Sequence, residues 1–363
     1  MKTNESPNKR GLGSSFNTLA ISGTASKTQT QCEEEVYLYG KGIDIGNLTV
    51  MESRAKRKLI SKTLAMLLIP MARADHDWKW EARFTRTLHC QDELIEAGRR
   101  TYSPYCRERC CTICLANRKG EKVNLYLPIV EDMPAPHFVT ITAQSVNKDG
   151  LKIRVHETAH AIRTLIARYK KRSQRGNGIK FYGIWALESN YNPLRFTYNP
   201  HIHMILPTEY AAQTFLNDWM EYWKERGVYV NRKAQHYRRL KKNRRKDLIE
   251  IVKYGSKIFT EPDIADRIKF GLPKKPSFMY VRALYNILLA MDGLDVFNTF
   301  GFELPEREKP RKMVKKVTDA INWNYDLAAP DWVNDETGLR LAKYKVPNDL
   351  EALLQSRVNT DFE

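Results

Sequence analysis

The chain has 363 residues, enough for one large or two modest domains around a full apolar core. A formal net charge of +18 and a pI near 9.5 call for a polyanionic partner, nucleic acid or an anionic membrane surface. No run approaches the roughly 18 apolar residues of a membrane helix, so a helical membrane protein is excluded and nucleic acid is the favoured partner.

In chain order, residues 1 to about 34 are rich in Ser, Thr, Asn, Gly and Lys without periodicity. Residues 1–50 are therefore expected to be a disordered arm and linker. A basic helical segment is expected over 51–87. Within it Arg54–Lys58, Leu64–Met71 and Ala72-Arg73-Ala74 imitate an export signal, but the stretch starts some fifty residues in and reads as an amphipathic helix. Without export the six cysteines stay in a reducing, cytoplasmic setting, where they serve as metal ligands or free thiols rather than disulfides.

Residues 88–130 form a cysteine-rich segment. Cys106, Cys111 and Cys114 make a C-x4-C-x2-C pattern, with Cys110 as an extra neighbour. Clustered thiolates suit structural Zn²⁺, which takes four ligands. Adjacent Cys110 and Cys111 cannot easily face one ion, so Cys90 or His89 is the expected fourth.

A mixed α/β pattern follows, assigned to a catalytic domain over 131–262. His137–Thr142 (HFVTIT) reads as a strand through its β-branched alternation. Leu151–Lys171 reads as an amphipathic helix with Val155, Ala159, Ile162, Ile166 and Tyr169 on one stripe. Ile179–Glu188 is a second strand, Asn190–Pro200 a polar hairpin loop, His201–Leu206 a third strand and Glu209–Arg226 a helix. His201 and His203 leave the same sheet face and can hold a divalent metal if a third ligand joins them. Glu188, ending the neighbouring strand, is that candidate.

The densest basic run, Arg232 to Lys246, offers Arg232, Lys233, Tyr237, Arg238, Arg239, Lys241, Lys242, Arg244 and Arg245 to DNA phosphates. Asp247–Phe259 then reads as a helix. Leu248, Ile251, Val252, Gly255 and Phe259 fall on one side and Glu250, Lys253, Tyr254 and Lys257 on the other. Residues 263–363 are expected to be mostly helical, with a charged, proline-punctuated tail after Leu304. No internal repeat is present.

These elements, in this order, resemble the three-motif pattern of HUH endonucleases, and in particular the rolling-circle replication initiators of small bacterial plasmids. Phe138-Val139-Thr140-Ile141-Thr142 looks like their first motif. Tyr198-Asn199-Pro200-His201-Ile202-His203-Met204-Ile205-Leu206 looks like the metal-binding second, and Glu250-Ile251-Val252-Lys253-Tyr254-Gly255-Ser256-Lys257 like the third, with a single tyrosine. A similar cysteine-rich segment precedes the first motif in those initiators, although Thr112 stands here where proline is common. The resemblance implies an α+β HUH fold, an antiparallel sheet carrying the His-x-His strand, flanked by helices and preceded by the zinc-binding segment.

It further implies Tyr254 as nucleophile, Lys253 and Lys257 beside it, and Mg²⁺ or Mn²⁺ on His201, His203 and Glu188. The product would be a 5′-phosphotyrosine and a free 3′-hydroxyl, with Glu250 acting in termination. The implied partners are plasmid origin DNA (an origin hairpin and a single-stranded nick site) and a host helicase and polymerase in the bacterial cytoplasm. Rival readings are a single-tyrosine HUH transposase, a non-enzymatic zinc-binding DNA regulator, and a zinc protease based on His156-Glu157-Thr158-Ala159-His160. Arg163, beside His160 on the helix flank, argues against the last.

Overall fold

Alternating and β-branched runs become strands here chiefly where a second run lies beside them. The computed structural model describes residues 36–39, 42–178, 180–192, 194–241, 243–252, 278–304, 314–317 and 320–348. The expected N-terminal arm up to residue 35, Lys242, Lys253, Tyr254 and Lys257 lie outside the described residues, and Glu250 is described only as part of a helix.

The chain opens with β1 (Val36–Tyr39), β2 (Ile43–Asp44), α1 (Leu48–Ala74), α2 (Trp78–Leu88), β3 (Glu93–Ala97), β4 (Arg100–Tyr102) and α3 (Thr112–Glu131). The signal-like stretch is the body of α1, where Leu64, Leu67, Leu68 and Met71 pack on Trp80 and Phe84 of α2. Among the described residues no helix is long and apolar enough to cross a membrane.

Next come β5 (His137–Thr142), α4 (Lys148–Gln174), β6 (Gly183–Asn192), β7 (Thr197–Leu206), α5 (Glu209–Lys224), β8 (His236–Arg239), α6 (Arg244–Val252), α7 (Phe278–Ala290) and β9 (Phe297–Phe300). The five strands form one antiparallel sheet in the order β8-β5-β7-β6-β9. Side chains alternate across it. Val139, Ile141, Trp185, Leu187, Ile202, Met204 and Leu206 enter a core shared with α4, α5 and α7. Phe138, Ile184, Ala186 and Ile205 face the other way, onto α3 and α6. His201, His203 and Glu188 share the parity of this second group, so the histidine site opens on the α3/α6 side.

Two expectations need correction. Asn190–Pro200 is not a loop: β6 and β7 stay paired through Ser189↔Pro200, Asn190↔Asn199, Tyr191↔Tyr198 and Asn192↔Thr197. The polar composition misled, because the ribbon runs beyond β5 and is half solvated; the Tyr191–Tyr198 cross-strand ring pair, 5.0 Å apart, supports it. The C-terminal region is not mostly helical either: its described residues hold α7, β9, β10 (Val314–Val317), β11 (Ile321–Asp326) and β12 (Asp331–Val333). INWNYD alternates apolar and polar residues, a strand signal that charge and proline content obscured. β10 pairs with β1, and β11 and β12 join a second sheet ordered β12-β11-β3-β4-β2. That sheet lies on the first half of α1, burying Trp323, Trp332, Met51, Ala55 and Leu94 together. From Val36 onward the chain is one compact unit, so the sequence segments share cores.

Candidate metal centres and DNA-facing surface

Register brings the histidine site together. Glu188 on β6 pairs with His201 on β7, and Thr142 and Thr140 on β5 pair with His201 and His203. Glu188 Oε2 stands 3.7 Å from His201 Nε2 and 3.9 Å from His203 Nε2. One ligand atom from each of the three residues lies within 4.8 Å of the others. Glu188 and His201 are buried, while His203 is partly open to the face where a substrate would approach.

Two groups not singled out in the sequence set the ring orientations. His201 Nδ1 lies 2.9 Å from the Asn199 carbonyl oxygen, and His203 Nδ1 lies 3.0 Å from Thr140 Oγ1. A proton on each Nδ1, donated to these oxygens, leaves both Nε2 lone pairs facing the Glu188 carboxylate. That is the tautomer a divalent cation requires, and the outer hydrogen bonds raise ligand basicity. Two imidazoles and a carboxylate fit Mg²⁺ or Mn²⁺ acceptably, and the donor set alone would also admit softer metals.

The cysteines make a second centre. Cys90, Cys106, Cys111 and Cys114 bring their sulfurs within 4.8 Å of one another, with Cys90–Cys114 at 3.7 Å and Cys106–Cys114 at 3.5 Å. A tetrahedron with Zn–S bonds of about 2.3 Å has edges of about 3.8 Å, so the four sulfurs fit zinc. Backbone N–H groups of Cys106, Arg107 and Glu108 point at the sulfurs of Cys90, Cys114 and Cys106 at 3.3 to 3.5 Å, the polarity a thiolate cage needs. Arg107 adopts φ +60° to make this turn. Hydrogen bonds from Cys106, Cys114 and Cys90 drive the Cys111 thiol well below its ordinary range.

The fourth member of the cluster is Cys90 and not His89, whose ring is exposed and bonds Asp92 at 2.8 Å. Cys110 faces away, 3.0 Å from Thr87 Oγ1 in the α1/α2 core, where burial pushes its thiol up to about 12. Lys58, fully buried on α1, pins the Cys90 turn. Its Nζ donates to the carbonyls of Leu88 (3.0 Å) and Cys90 (2.8 Å) and pairs with Asp92 at 2.6 Å.

The third expected feature is the tyrosine helix. α6 is described to Val252, two residues before Tyr254, and buries Leu248, Ile251 and Val252 against Phe138, Ile184, Ala186 and Ile205. It therefore lies on the sheet face that carries His201 and His203. The basic run divides. Arg232, Lys233, Arg239, Lys241 and Arg245 are exposed. Arg238 instead pairs with buried Asp247 at 2.5 Å and stacks over Phe138, and Arg244 donates to the carbonyls of Val130, Glu131 and Met133 at the end of α3. Tyr237 accepts from Gln213 at 2.8 Å. On α4, His156, Glu157 and His160 are exposed and Glu157 pairs with Arg154. They join no metal-ligand cluster among the described residues, so the structure adds nothing to the protease reading.

Compared with known proteins, residues 99–296 match the model of the family described as "Replication protein", more than half of the chain. The chain belongs to the replication protein family. This bears out the resemblance read from the motifs. The chain is also similar to a "Protein rep" of Staphylococcus aureus, 27% identical over 179 residues, 46% of this chain and 75% of that one. Two further proteins of that name, from Bacillus amyloliquefaciens and a Bacillus species, are each 28% identical over 33% of this chain. The matches span only 37% and 41% of those two relatives. No solved structure matches.

Proposed function

We propose that this replication protein is a plasmid initiator of the HUH type that nicks one strand of origin DNA through Tyr254. The observation that carries the reading is the shared sheet face: His201, His203 and Glu188 open toward the side on which α6 packs, and α6 runs to within two residues of Tyr254. A regulator that only binds DNA has no need of that convergence.

A divalent cation on the three ligands would polarise the scissile phosphate and offset its developing charge. Tyrosine, with a free pKa of about 10, is a poor nucleophile at neutral pH. Lys253 and Lys257, one and three residues from Tyr254 in sequence, would favour its phenolate by charge. The phenolate oxygen attacks phosphorus, the P–O3′ bond breaks, and the departing 3′ oxygen takes a proton from solvent. The products are a 5′-phosphotyrosine and a 3′-hydroxyl that primes a host polymerase. Glu250, four residues before Tyr254 in sequence, would activate water for the second cleavage that ends a replication round. Exposed Arg239 and Lys241 before α6 and Arg245 in its first turn supply phosphate contacts. The proposed setting is the bacterial cytoplasm, with zinc as a structural ion and a host helicase to open the duplex.

The test is incubation of the full chain with supercoiled DNA of its own replicon and Mn²⁺, followed by denaturing electrophoresis. Wild type should give a nicked circle and a covalent protein–DNA adduct, and Tyr254→Phe should give neither while still binding DNA. Nicking by Tyr254→Phe at the wild-type rate would overturn the reading.

A further inference from the structure

The paired strands β6 and β7 do not stop at the metal site. Beyond the Glu188↔His201 pair they continue for four more residue pairs to Asn192↔Thr197. At about 3.4 Å per residue this ribbon reaches about 14 Å past the site. The face it shares with Glu188 and His201 is set by parity: Asn190 and Asn192 on β6, Thr197 and Asn199 on β7. These four side chains are uncharged, and Asn190 and Asn192 are exposed. Asn192 Oδ1 accepts from the N–H groups of Leu194 and Arg195 at 3.0 and 3.2 Å to shape the turn, and Asn190 presents its amide along the track.

The turn beyond them carries bare apolar surface. Leu194 is 50% and Phe196 65% exposed, and Phe196 sits at φ +52°, a left-handed conformation that a bulky side chain rarely adopts. The opposite ribbon face is anchored. Tyr198 is buried, stacks on Tyr191 and accepts from Asn286 Nδ2 at 2.8 Å, and its backbone exchanges hydrogen bonds with Val146 at 2.7 and 2.9 Å. A rigid arm thus presents amides and an aromatic tip directly beyond the ligands.

We infer that the β6–β7 ribbon reads the bases of single-stranded DNA flanking the nick, resting on the initiator reading above. Amides pair with base edges bidentately, as charged side chains on phosphates do not, so an uncharged Asn/Thr track selects sequence rather than adding bulk affinity. Exposed Phe196 offers a base a stacking surface at the far end. About 14 Å equals the rise of about four stacked nucleotides. The track is continuous with the metal site, so whatever it selects is delivered in a fixed register to His201 and His203.

The experiment separates this inference from the nicking reading by measuring binding alone. The full chain carrying Tyr254→Phe is equilibrated with a pool of single-stranded DNA randomised over 12 positions, and bound sequences are counted. Asn190→Ala and Phe196→Ser, both solvent-exposed positions, are added singly to that background. Each should weaken preference at a short contiguous block by about tenfold, with affinity for the unselected pool within about twofold. Arg239→Gln should do the reverse, lowering affinity for every sequence alike. Preference profiles unchanged by both ribbon variants would overturn the inference, as would an equal loss across all sequences. Absence of nicking by the wild type would sink only the initiator reading, because the binding profile does not depend on it.

Discussion

Replacing Thr140 with valine tests whether the histidine site is built for a metal. Thr140 Oγ1 is the group 3.0 Å from His203 Nδ1, and the partner of His201 Nδ1 is a backbone carbonyl that no substitution removes. Thr140→Val therefore takes away one of two outer hydrogen bonds and leaves Glu188, His201 and His203 in place. Loss of such a partner frees the ring to rotate and to adopt the wrong tautomer, at a cost of about 10- to 100-fold in metal affinity. That range corresponds to about 1.4 to 2.8 kcal/mol. Titration of Mn²⁺ into the full chain, followed by electron paramagnetic resonance of the free ion, should show the dissociation constant rising by that factor. His203→Ala should raise it further. An unchanged constant for Thr140→Val, alongside clear loss in His203→Ala, would refute the role given to the hydroxyl.

Lys58→Met should lower stability by about 3 to 5 kcal/mol, since it leaves the carbonyls of Leu88 and Cys90 without their buried donor and strips one partner from Asp92; an unaltered melting temperature would contradict this. Cys111→Ser should reduce bound zinc from about one ion per chain to none, whereas Cys110→Ser, outside the cluster, should keep it; elemental analysis of both variants decides. Exposed Arg239 and paired Arg238 should behave differently toward DNA. Arg239→Gln should flatten the log affinity against log salt slope by about 0.7 to 0.9, the amount of one lost phosphate contact, and also leave thermal stability intact. Arg238→Gln should mainly lower the melting temperature, and equal salt slopes with equal stabilities would refute the distinction.

What was legible in the sequence follows the range of the interactions involved. His-x-His on an apolar strand and a carboxylate ending its neighbour are local patterns, and the sheet register turned them into one site. The fourth cysteine ligand stayed open between His89 and Cys90, because neighbours in sequence differ only in which way the turn after α2 points them. Lys58, distant in the chain, fixes that turn. Charge density located the basic run but could not reveal that Arg238 has Asp247 and that Arg244 caps α3. β10 and β11 owe their pairing to β1 and β3, more than two hundred residues away, which composition cannot display. Thr140 and Asn199 lay inside the quoted motifs, yet their service to the histidines appears only once β5 and β7 are side by side.

A single helix, α3, joins the cysteine cluster to α6. α3 is N-capped by Cys111, carries Cys114 in its first turn, and spans 20 residues, about 30 Å. Its far end is where Arg244 donates to the carbonyl oxygens of Val130, Glu131 and Met133, and Arg244 is the first residue of α6. Val123, Tyr126 and Val130 of α3 meanwhile share a core with Leu248, Ile251 and Val252 of α6. The cysteine cluster fixes one end of a rod whose other end packs on α6, the helix described to Val252. Arg109, one residue before the cluster's Cys110 neighbour, adds a second tie by donating to the carbonyls of Met291 and Leu294 beyond α7. Breaking the cysteine cluster should therefore disturb the packing of α6 on the sheet face of His201 and His203, although the two clusters are separate among the described residues. On the nicking reading proposed above, a cysteine cluster outside the chemistry has a role: through α3 it orients α6 against the sheet that carries His201, His203 and Glu188.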